Sequence, residues 1–200
     1  VKAGEETNAD VGDKANNALR VNGGELKVSI IGEGANLGVT QKGRIEFARK
    51  GGRINTDAID NSAGVDSSDH EVNIKILLTE AIRQGELPVA DRNALLADMT
   101  DEVAEHVLRN NYKQTGALSM LEMSAADDLD AYGELMTTLE SEGKLARDVE
   151  DLPSVETMTA LREQGAGLTR PEISVLFAYA KNDLFNGVVE GDAPDQPALQ

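Results

Sequence analysis

The spacing of apolar and polar residues divides the chain near Lys75. Before that residue, apolar runs are short and glycines are frequent. After it, apolar residues recur at the i, i+3, i+4, i+7 spacing of helices that bury one face. The pattern therefore predicts a mainly α protein with a small α/β part, in which residues 1–75 form the α/β part and residues 76–200 are helical.

Short helices and strands are predicted to alternate in the first part. Apolar spacing and glycine stops indicate a helix over residues 8–20, a buried strand over 26–31, a helix over 44–49 and a strand over 53–59. Each strand leads into a polar loop that contains glycine. These loops are residues 32–36 (GEGAN) and residues 60–64 (DNSAG).

The second part is predicted to be a series of helices, each with an apolar stripe. The stripes are Ile74, Leu77, Leu78 and Ala81; Val103, Val107 and Leu108; Leu129, Tyr132, Leu135, Met136 and Leu139; Val155, Met158 and Leu161; and Ile173, Leu176, Phe177, Ala180 and Leu184. Gly85, Gly143 and either Gly165 or Gly167 are the expected stops. The clearest start is Thr169–Glu172, which has the form of a capping box.

Charge and composition narrow the possible partners. The chain has 36 acidic and 19 basic side chains, and its formal net charge is −17. This charge repels phosphate groups, so neither nucleic acid nor a membrane is expected as a partner. No apolar run approaches the roughly 20 residues of a membrane span, which predicts a soluble protein. The expected location is cytoplasmic, which the absence of cysteine permits. The first residue is Val1, and we expect the chain to be a piece of a longer polypeptide.

Several kinds of site are not predicted. The chain has no cysteine, which excludes disulfides, thiolate metal sites and a cysteine nucleophile. His70 lies next to Glu71 in sequence and not three or four residues from it, so the two side chains are expected to point in different directions on a helix. His106 lies among Glu102 and Glu105, with which it is expected to pair. We therefore predict no metal site and interpret both histidines as surface or packing residues.

Two loops could carry chemistry because each follows a predicted strand. Ligands of open α/β sheets gather at the carboxyl ends of strands, where loops and helix N-termini present backbone amides. The first loop offers Glu33 and Asn36, and the second offers Asn61 and, before the next predicted helix, Ser68. Taken alone, their spacing favours a tight turn and ordinary helix capping, and neither loop has the G-x-G-x-x-G pattern of a dinucleotide site.

The same region resembles a known family. Residues 32–75 resemble the signature stretch of the large bacterial NAD-specific glutamate dehydrogenases. Segments that resemble the C-terminal third of that family are DKANNALRV (13–21), RNNYKQTGALS (109–119) and GLTRPEISVLFAYAKN (167–182). The resemblance implies that residues 1–75 are the C-terminal part of a Rossmann-like NAD-binding catalytic domain. Residues 76–200 would form a C-terminal helical region. Independently of the resemblance, the polar, proline-containing tail over residues 190–200 is predicted to be frayed and flexible.

The resemblance also implies roles for four residues. Smaller glutamate dehydrogenases carry an Asn-Ala-Gly-Gly-Val-x-x-Ser-x-x-Glu stretch, which is matched here by Asn61, Gly64, Val65, Ser68 and Glu71, with Ser62-Ala63 in place of Ala-Gly. By this similarity Asn36 and Asn61 would approach the cofactor NAD, Val65 would line the substrate side-chain pocket, and Ser68 would bind the distal carboxylate of glutamate. A hydroxyl at a helix N-terminus suits a carboxylate, because free amides and the helix dipole favour an anion there.

The reaction implied by the resemblance is the reversible oxidative deamination of L-glutamate to 2-oxoglutarate and ammonia with NAD. No segment of this chain matches the family's catalytic lysine and aspartate or its glycine-rich pyrophosphate loop, so no catalytic residue is predicted here. The expected partners are the remainder of the parent polypeptide and further copies in a homo-oligomer. Alone, the chain is expected to be inactive.

Two other functions are compatible with the residues. The chain could be a non-catalytic acidic helical interaction module, in which the two loops only cap helices. It could also be a fragment of another NAD(P)-dependent dehydrogenase. The interaction module predicts that neither NAD nor glutamate shifts the melting temperature.

Overall fold

The computed structural model describes residues 1–34, 38–192 and 196, and the protein is mainly helical over these residues. The α-helices are α1 (Asn8–Val11), α2 (Gln41–Arg49), α3 (Asp57–Asp60), α4 (Ser62–Gln84), α5 (Arg92–Asp98), α6 (Thr100–Met123), α7 (Leu129–Ser141), α8 (Val155–Glu163) and α9 (Arg170–Glu190). Short 3₁₀ turns cover Lys14–Leu19, Gly23–Glu25 and Val89–Asp91. The prediction of a mainly α protein is confirmed.

Two short parallel strands form the β part. Strand β1 (Ile30–Ile31) pairs with β2 (Arg53–Ile54) in the register Ile30 to Arg53 and Ile31 to Ile54. Helix α2 lies between them in sequence, so the unit is a small βαβ crossover whose two carboxyl ends share one edge. This pair does not by itself establish a Rossmann-like domain.

Both predicted strands are longer than the observed ones. The prediction of a buried strand over residues 26–31 is wrong, because Ile30 is 69% exposed. Within the described residues β1 has β2 as its one neighbour, so it is an edge strand that no second sheet neighbour covers. Strand β2 stops at Ile54 because Thr56 already takes the extended conformation of a helix N-cap and starts α3.

The predicted helix over residues 8–20 is also interrupted. Helix α1 ends at Gly12, which has a left-handed backbone (φ 77°), and a 3₁₀ turn follows. A glycine in this conformation ends a helix because it carries no Cβ to oppose positive φ. The following turn brings Asn22 beside Lys2 in an isolated parallel bridge.

Helix α4 begins earlier than predicted. Residues 60–64 are not a loop, since Ser62 is the first residue of α4 and Asn61 alone separates it from α3. The Asn61 amide donates to the Asp57 carbonyl (2.9 Å), and the Val65 amide donates to the Asn61 carbonyl (3.1 Å). These helical hydrogen bonds on both sides of Asn61 leave little room for a separate loop.

The helical second part follows its local signals. Left-handed glycines end α4, α7 and α8 at Gly85, Gly143 and Gly165, as predicted. Helix α9 starts with a capping box in which the Glu172 carboxylate accepts from the Thr169 amide (2.7 Å) and hydroxyl (2.6 Å). Most of the tail predicted to be frayed lies outside the described residues.

Some of the predicted apolar stripes are only partly buried. The α7 stripe is well covered, with Met136 fully buried and Leu139 almost so. In contrast, Leu77 on α4, Leu108 on α6 and Leu184 on α9 are all more than half exposed. Their predicted burial within this chain is therefore wrong, because no described element packs over those faces.

The buried apolar side chains of the described residues form two cores of unequal size. The larger joins residues of α6 to α9 with Ile59 of α3, and the smaller consists of Val39, Phe47 and Ile54 with partly buried neighbours. The two cores meet where α9 packs against α2, and the side-chain Nε2 of Gln41 donates to the Pro171 carbonyl there (3.2 Å). No helix among the described residues is long and apolar enough to cross a membrane.

Candidate functional site

The described residues of the first predicted loop, 32–34, lie beside Asp60 and Asn61 at the carboxyl edge of the strand pair. A Cβ at Gly34 would lie 3.6 Å from the Asp60 carbonyl oxygen and 3.7 Å from the Asn61 Cα. The Glu33 amide donates to Asp60 Oδ2 (2.7 Å). The parallel pairing of β1 and β2 brings these chain segments together, as expected for a ligand site of an α/β sheet.

Arg44 of α2 links the residues that follow β1 to the start of α3. Its Nη2 donates to Glu33 Oε2 (2.9 Å) and lies 3.6 Å from Asp57 Oδ1. Arg44 is 6% exposed, and its Nε has no hydrogen-bond partner among the described residues. A buried guanidinium needs such carboxylate partners, because removing its charge from water is costly. Sequence reasoning missed Arg44, since its partners lie 11 and 13 positions away.

The predicted cofactor-binding residues are Asn36 and Asn61. Asn36 lies outside the described residues, so its role stays a prediction. Asn61 caps α4 without a side-chain capping bond, and its Oδ1 lies 2.6 Å from the position that a Cβ on Gly64 would take. Because Gly64 has no side chain, the side-chain amide of Asn61 can lie over the first turn of α4.

The predicted substrate-binding residues follow Asn61 along one face of α4. Val65 and Ser68 are four and seven positions further, which places them on the same side of a helix. Val65 is 54% exposed, and Ser68 is exposed as well. This face of α4 is therefore open to a ligand or to another part of a larger protein.

The sequence predicted that Ser68 lies at a helix N-terminus, and this prediction is wrong. Ser68 is the seventh residue of α4, and its hydroxyl donates to the Gly64 carbonyl (3.2 Å). The helix dipole acts within about the first turn, so it gives Ser68 little help in binding an anion. A carboxylate at Ser68 would therefore depend on positive groups other than the helix dipole.

The opposite face of α4 packs against α6. The Ser62 hydroxyl donates to Asn111 Oδ1 (2.7 Å), and Asn110 Nδ2 donates to Asp66 Oδ2 (2.9 Å). These contacts fix the first two turns of α4, which carry Val65 and Ser68, onto the helical part of the protein.

The two histidines are part of this packing. The ring centroids of His70 and His106 lie 6.5 Å apart across the two helices, and Nδ1 of His70 lies 2.8 Å from the Asp66 carbonyl oxygen. His106 Nε2 is 3.9 Å from Glu102, the pairing that the sequence suggested. Within the described ranges, no three His, Cys, Asp or Glu side chains are grouped so as to hold a metal ion.

Glu71 completes the stretch that resembles smaller glutamate dehydrogenases. It pairs with Lys75 one turn later, and the hydrogen bond from the Lys75 ammonium lowers the pKa of the Glu71 carboxyl. Glu71 thus stays ionised at neutral pH and is engaged within its own helix.

Two family models match the chain. The model described as "Bacterial NAD-glutamate dehydrogenase, catalytic domain" matches residues 1–121. The model described as "Glutamate dehydrogenase, C-terminal" matches residues 165–200. The first covers more than half of the chain.

Curated relatives are similar over practically the whole chain. NAD-specific glutamate dehydrogenases from Pseudomonas aeruginosa and Halomonas elongata are 52% and 50% identical over 199 residues, and both comparisons cover 100% of this chain. The protein of that name from Mycobacterium tuberculosis is 46% identical over 98% of the chain. The chain spans 12% of the length of each of these relatives.

Proposed function

Because the chain belongs to the bacterial NAD-glutamate dehydrogenase family, we propose that it is the C-terminal part of a large enzyme that oxidises L-glutamate with NAD. The observation that carries this proposal is identity of 46–52% with NAD-specific glutamate dehydrogenases over 98–100% of the chain. The proposed reaction is reversible deamination of glutamate to 2-oxoglutarate and ammonia. The enzyme's homo-oligomeric state and its cytoplasmic location stay predictions.

In this proposal the chain contributes to binding. Asn36 and Asn61 approach NAD, Val65 lines the pocket for the substrate side chain, and Ser68 donates to the distal carboxylate. Two observations support this arrangement. The segment ending at Gly34 lies against Asn61 at the carboxyl edge of parallel strands, and the α4 face of Val65 is open.

NAD, when bound, supplies the acceptor for the hydride that leaves the glutamate Cα. The residues of this chain hold the two reactants in contact, which lowers the barrier by reducing their freedom to misalign. The catalytic lysine and aspartate belong, in this proposal, to the remainder of the polypeptide. The isolated chain therefore binds at most weakly and does not turn over.

We propose that residues 1–75 belong to the catalytic domain and that residues 76–200 form the C-terminal helical region. Residue 75 lies within α4, so a continuous helix would join the two regions. The hydrogen bonds between α4 and α6 support a rigid connection.

Replacing Ser68 with alanine in the full-length enzyme tests the proposed substrate contact. Loss of a hydrogen bond to a charged group is worth roughly 1.5–3 kcal/mol, so Ser68→Ala should raise the KM for glutamate about 10- to 100-fold. The KM for NAD should stay unchanged. Steady-state kinetics with each substrate varied in turn measures both.

Ser67→Ala is the matched control. The Ser67 hydroxyl also donates to the carbonyl four residues earlier, that of Ala63 (2.7 Å), and Ser67 is exposed like Ser68. Removing it costs the helix the same kind of bond without touching the proposed carboxylate contact. Equal effects of the two substitutions on the KM for glutamate would show that Ser68 is not a substrate contact.

A further inference from the structure

Arg170, at the start of α9, connects three chain segments: α9 itself, α6 and the residue that follows β2. Its Nε donates to Asn55 Oδ1 (2.5 Å), Nη1 donates to Ser119 Oγ (3.1 Å) and Glu122 Oε2 (3.0 Å), and Nη2 donates to the Thr115 carbonyl (3.2 Å). Its side chain is 14% exposed. A planar guanidinium held at every nitrogen has one orientation, so Arg170 fixes Asn55 relative to α6.

Asn55 passes this constraint to the candidate site. Its Nδ2 donates to Asp60 Oδ1 (2.7 Å), and the other oxygen of the same carboxylate, Oδ2, accepts from the Glu33 amide (2.7 Å). Asn55 cannot exchange its amide oxygen and nitrogen without losing the bond from Arg170. The hydrogen bonds therefore lead from Arg170 through Asn55 and Asp60 to the backbone of residues 32–34, which follow β1 and are called the glycine-rich segment below.

We propose that Arg170 and Asn55 are positioning residues, which act through Asp60 to set the distance between the glycine-rich segment and the start of α4. This inference rests on the proposed function, in which Asn61 and Asn36, which follows Gly34 by two positions in sequence, contact NAD. Neither Arg170 nor Asn55 touches NAD or glutamate in this account.

The second tie, from Arg44, does not replace this chain of bonds. Arg44 holds the Glu33 side chain, which can move about its own bonds, whereas Asp60 holds the Glu33 backbone amide. The backbone position of Glu33 decides where Gly34 lies relative to Asn61. Loss of the Asp60 bond should therefore shift the glycine-rich segment even with Arg44 in place.

The substrate contacts should be much less affected. Val65 and Ser68 lie on a part of α4 that is fixed to α6 by two separate hydrogen bonds, one that Ser62 donates to Asn111 and one that Asp66 accepts from Asn110. Disruption at Arg170 should consequently weaken NAD binding more than glutamate binding. A purely structural role would lower the amount of active enzyme and so reduce kcat, with both KM values unchanged.

The experiment is steady-state kinetics of the full-length enzyme that contains this segment, with Arg170→Met as the main variant. Methionine keeps an unbranched apolar stem and removes all the donors. We expect the KM for NAD to rise on the order of tenfold, as for a small misplacement at a site, and the KM for glutamate to change less than twofold. Arg170→Lys, which can keep only part of the network, should lie between wild type and Arg170→Met.

Arg162→Met is the matched control. Arg162 lies on α8, is about half exposed and pairs with Asp130. This pair is not one of the hydrogen bonds that lead from Arg170 to Glu33. Arg162→Met should leave both KM values unchanged. Asp60→Asn is a second variant for the case that Arg170→Met fails to fold, because it preserves side-chain size while replacing one of the two accepting oxygens. It should also raise the KM for NAD selectively.

The outcomes separate the inference from the proposed function. Wild-type KM values in both Arg170→Met and Asp60→Asn, a fall in kcat alone, or the same KM change in Arg162→Met would overturn the positioning role and leave the proposed function intact. A wild-type full-length enzyme without glutamate-dependent NAD reduction would overturn both.

Discussion

Asp151 combines two unfavourable features at one residue. Its backbone is left-handed (φ 53°), the one non-glycine residue with positive φ in the described part of the chain, and burial raises the pKa of its carboxyl above the ordinary value. Lys42 partly offsets the burial, with its ammonium 3.8 Å from the carboxylate. Asparagine tolerates the left-handed conformation and carries no charge.

We predict that Asp151→Asn stabilises the protein at neutral pH, by about 0.5 kcal/mol or less as is usual near a surface. A carboxyl whose folded pKa is raised stabilises the fold below its unfolded pKa, and this contribution is lost as pH rises through the folded pKa. The advantage of the variant should thus be absent at low pH and appear as pH rises past the ordinary carboxyl range. Thermal melts of the variant and the wild type at several values between about pH 3 and pH 7 measure how the difference in melting temperature depends on pH.

Asp148→Asn, an exposed position in the same segment, is the control and should leave the melting temperature unchanged. An Asp151→Asn advantage that is equal at every pH would mean that backbone conformation alone explains it. A loss of stability at pH 7 would mean that the ion pair with Lys42 outweighs the burial of the carboxylate.

At the same scale, strand positions made Asn36, Asn61 and Ser68 possible site residues, and only the resemblance gave them roles. Arg44 and Asp60 could not be found in either way, because they act through partners 11 and 27 positions away. Spacing cannot reveal such contacts, because they exist only once β1 and β2 have paired. Even Ser68 was placed wrongly relative to the helix start, although its role stays a prediction.

At the scale of elements, the start of α4 links stability to the site. Gly64 is in the first turn, and a Cβ there would meet only the end of the Asn61 side chain, 2.6 Å away. That amide can rotate aside. The helix would meanwhile gain from alanine in place of glycine.

We therefore predict that Gly64→Ala raises the free energy of unfolding by about 0.5–1 kcal/mol and at the same time raises the KM for NAD in the full-length enzyme. Chemical denaturation and kinetics on the same preparation measure the two effects. Gly116→Ala, in the middle of α6 with nothing within 4 Å of its added Cβ, should give the stability gain alone. An unchanged KM for NAD in Gly64→Ala would argue against a cofactor role for Asn61.

Local signals explain which elements were predictable. Helices α7, α8 and α9 carry their own stops or caps in sequence, such as Gly143, Ser154 and the Thr169–Glu172 box, and these were predicted well. The strands were not, because a strand's length depends on its neighbours, and β1 has only β2 beside it among the described residues. The break at Gly12 was missed since the flanking residues keep helical spacing.

At the scale of the whole molecule, apolar faces remain open on several elements. Ile30 on β1, Ile76 on α4 and Phe185 on α9 are each at least 64% exposed. Isolated exposed apolar residues are ordinary on a protein surface. Here they accompany a chain that spans 12% of its relatives, so contact with the remainder of the polypeptide is the simplest account of them.

The central claim is that this chain supplies NAD and glutamate contacts while the acid–base residues lie elsewhere in the polypeptide. Glutamate-dependent formation of NADH tests it most directly, measured for the full-length enzyme and for the isolated 200-residue chain at equal concentration. We predict turnover by the full-length enzyme and none by the isolated chain above a mock preparation. Turnover by the isolated chain, or its absence in the full-length enzyme, would contradict the claim.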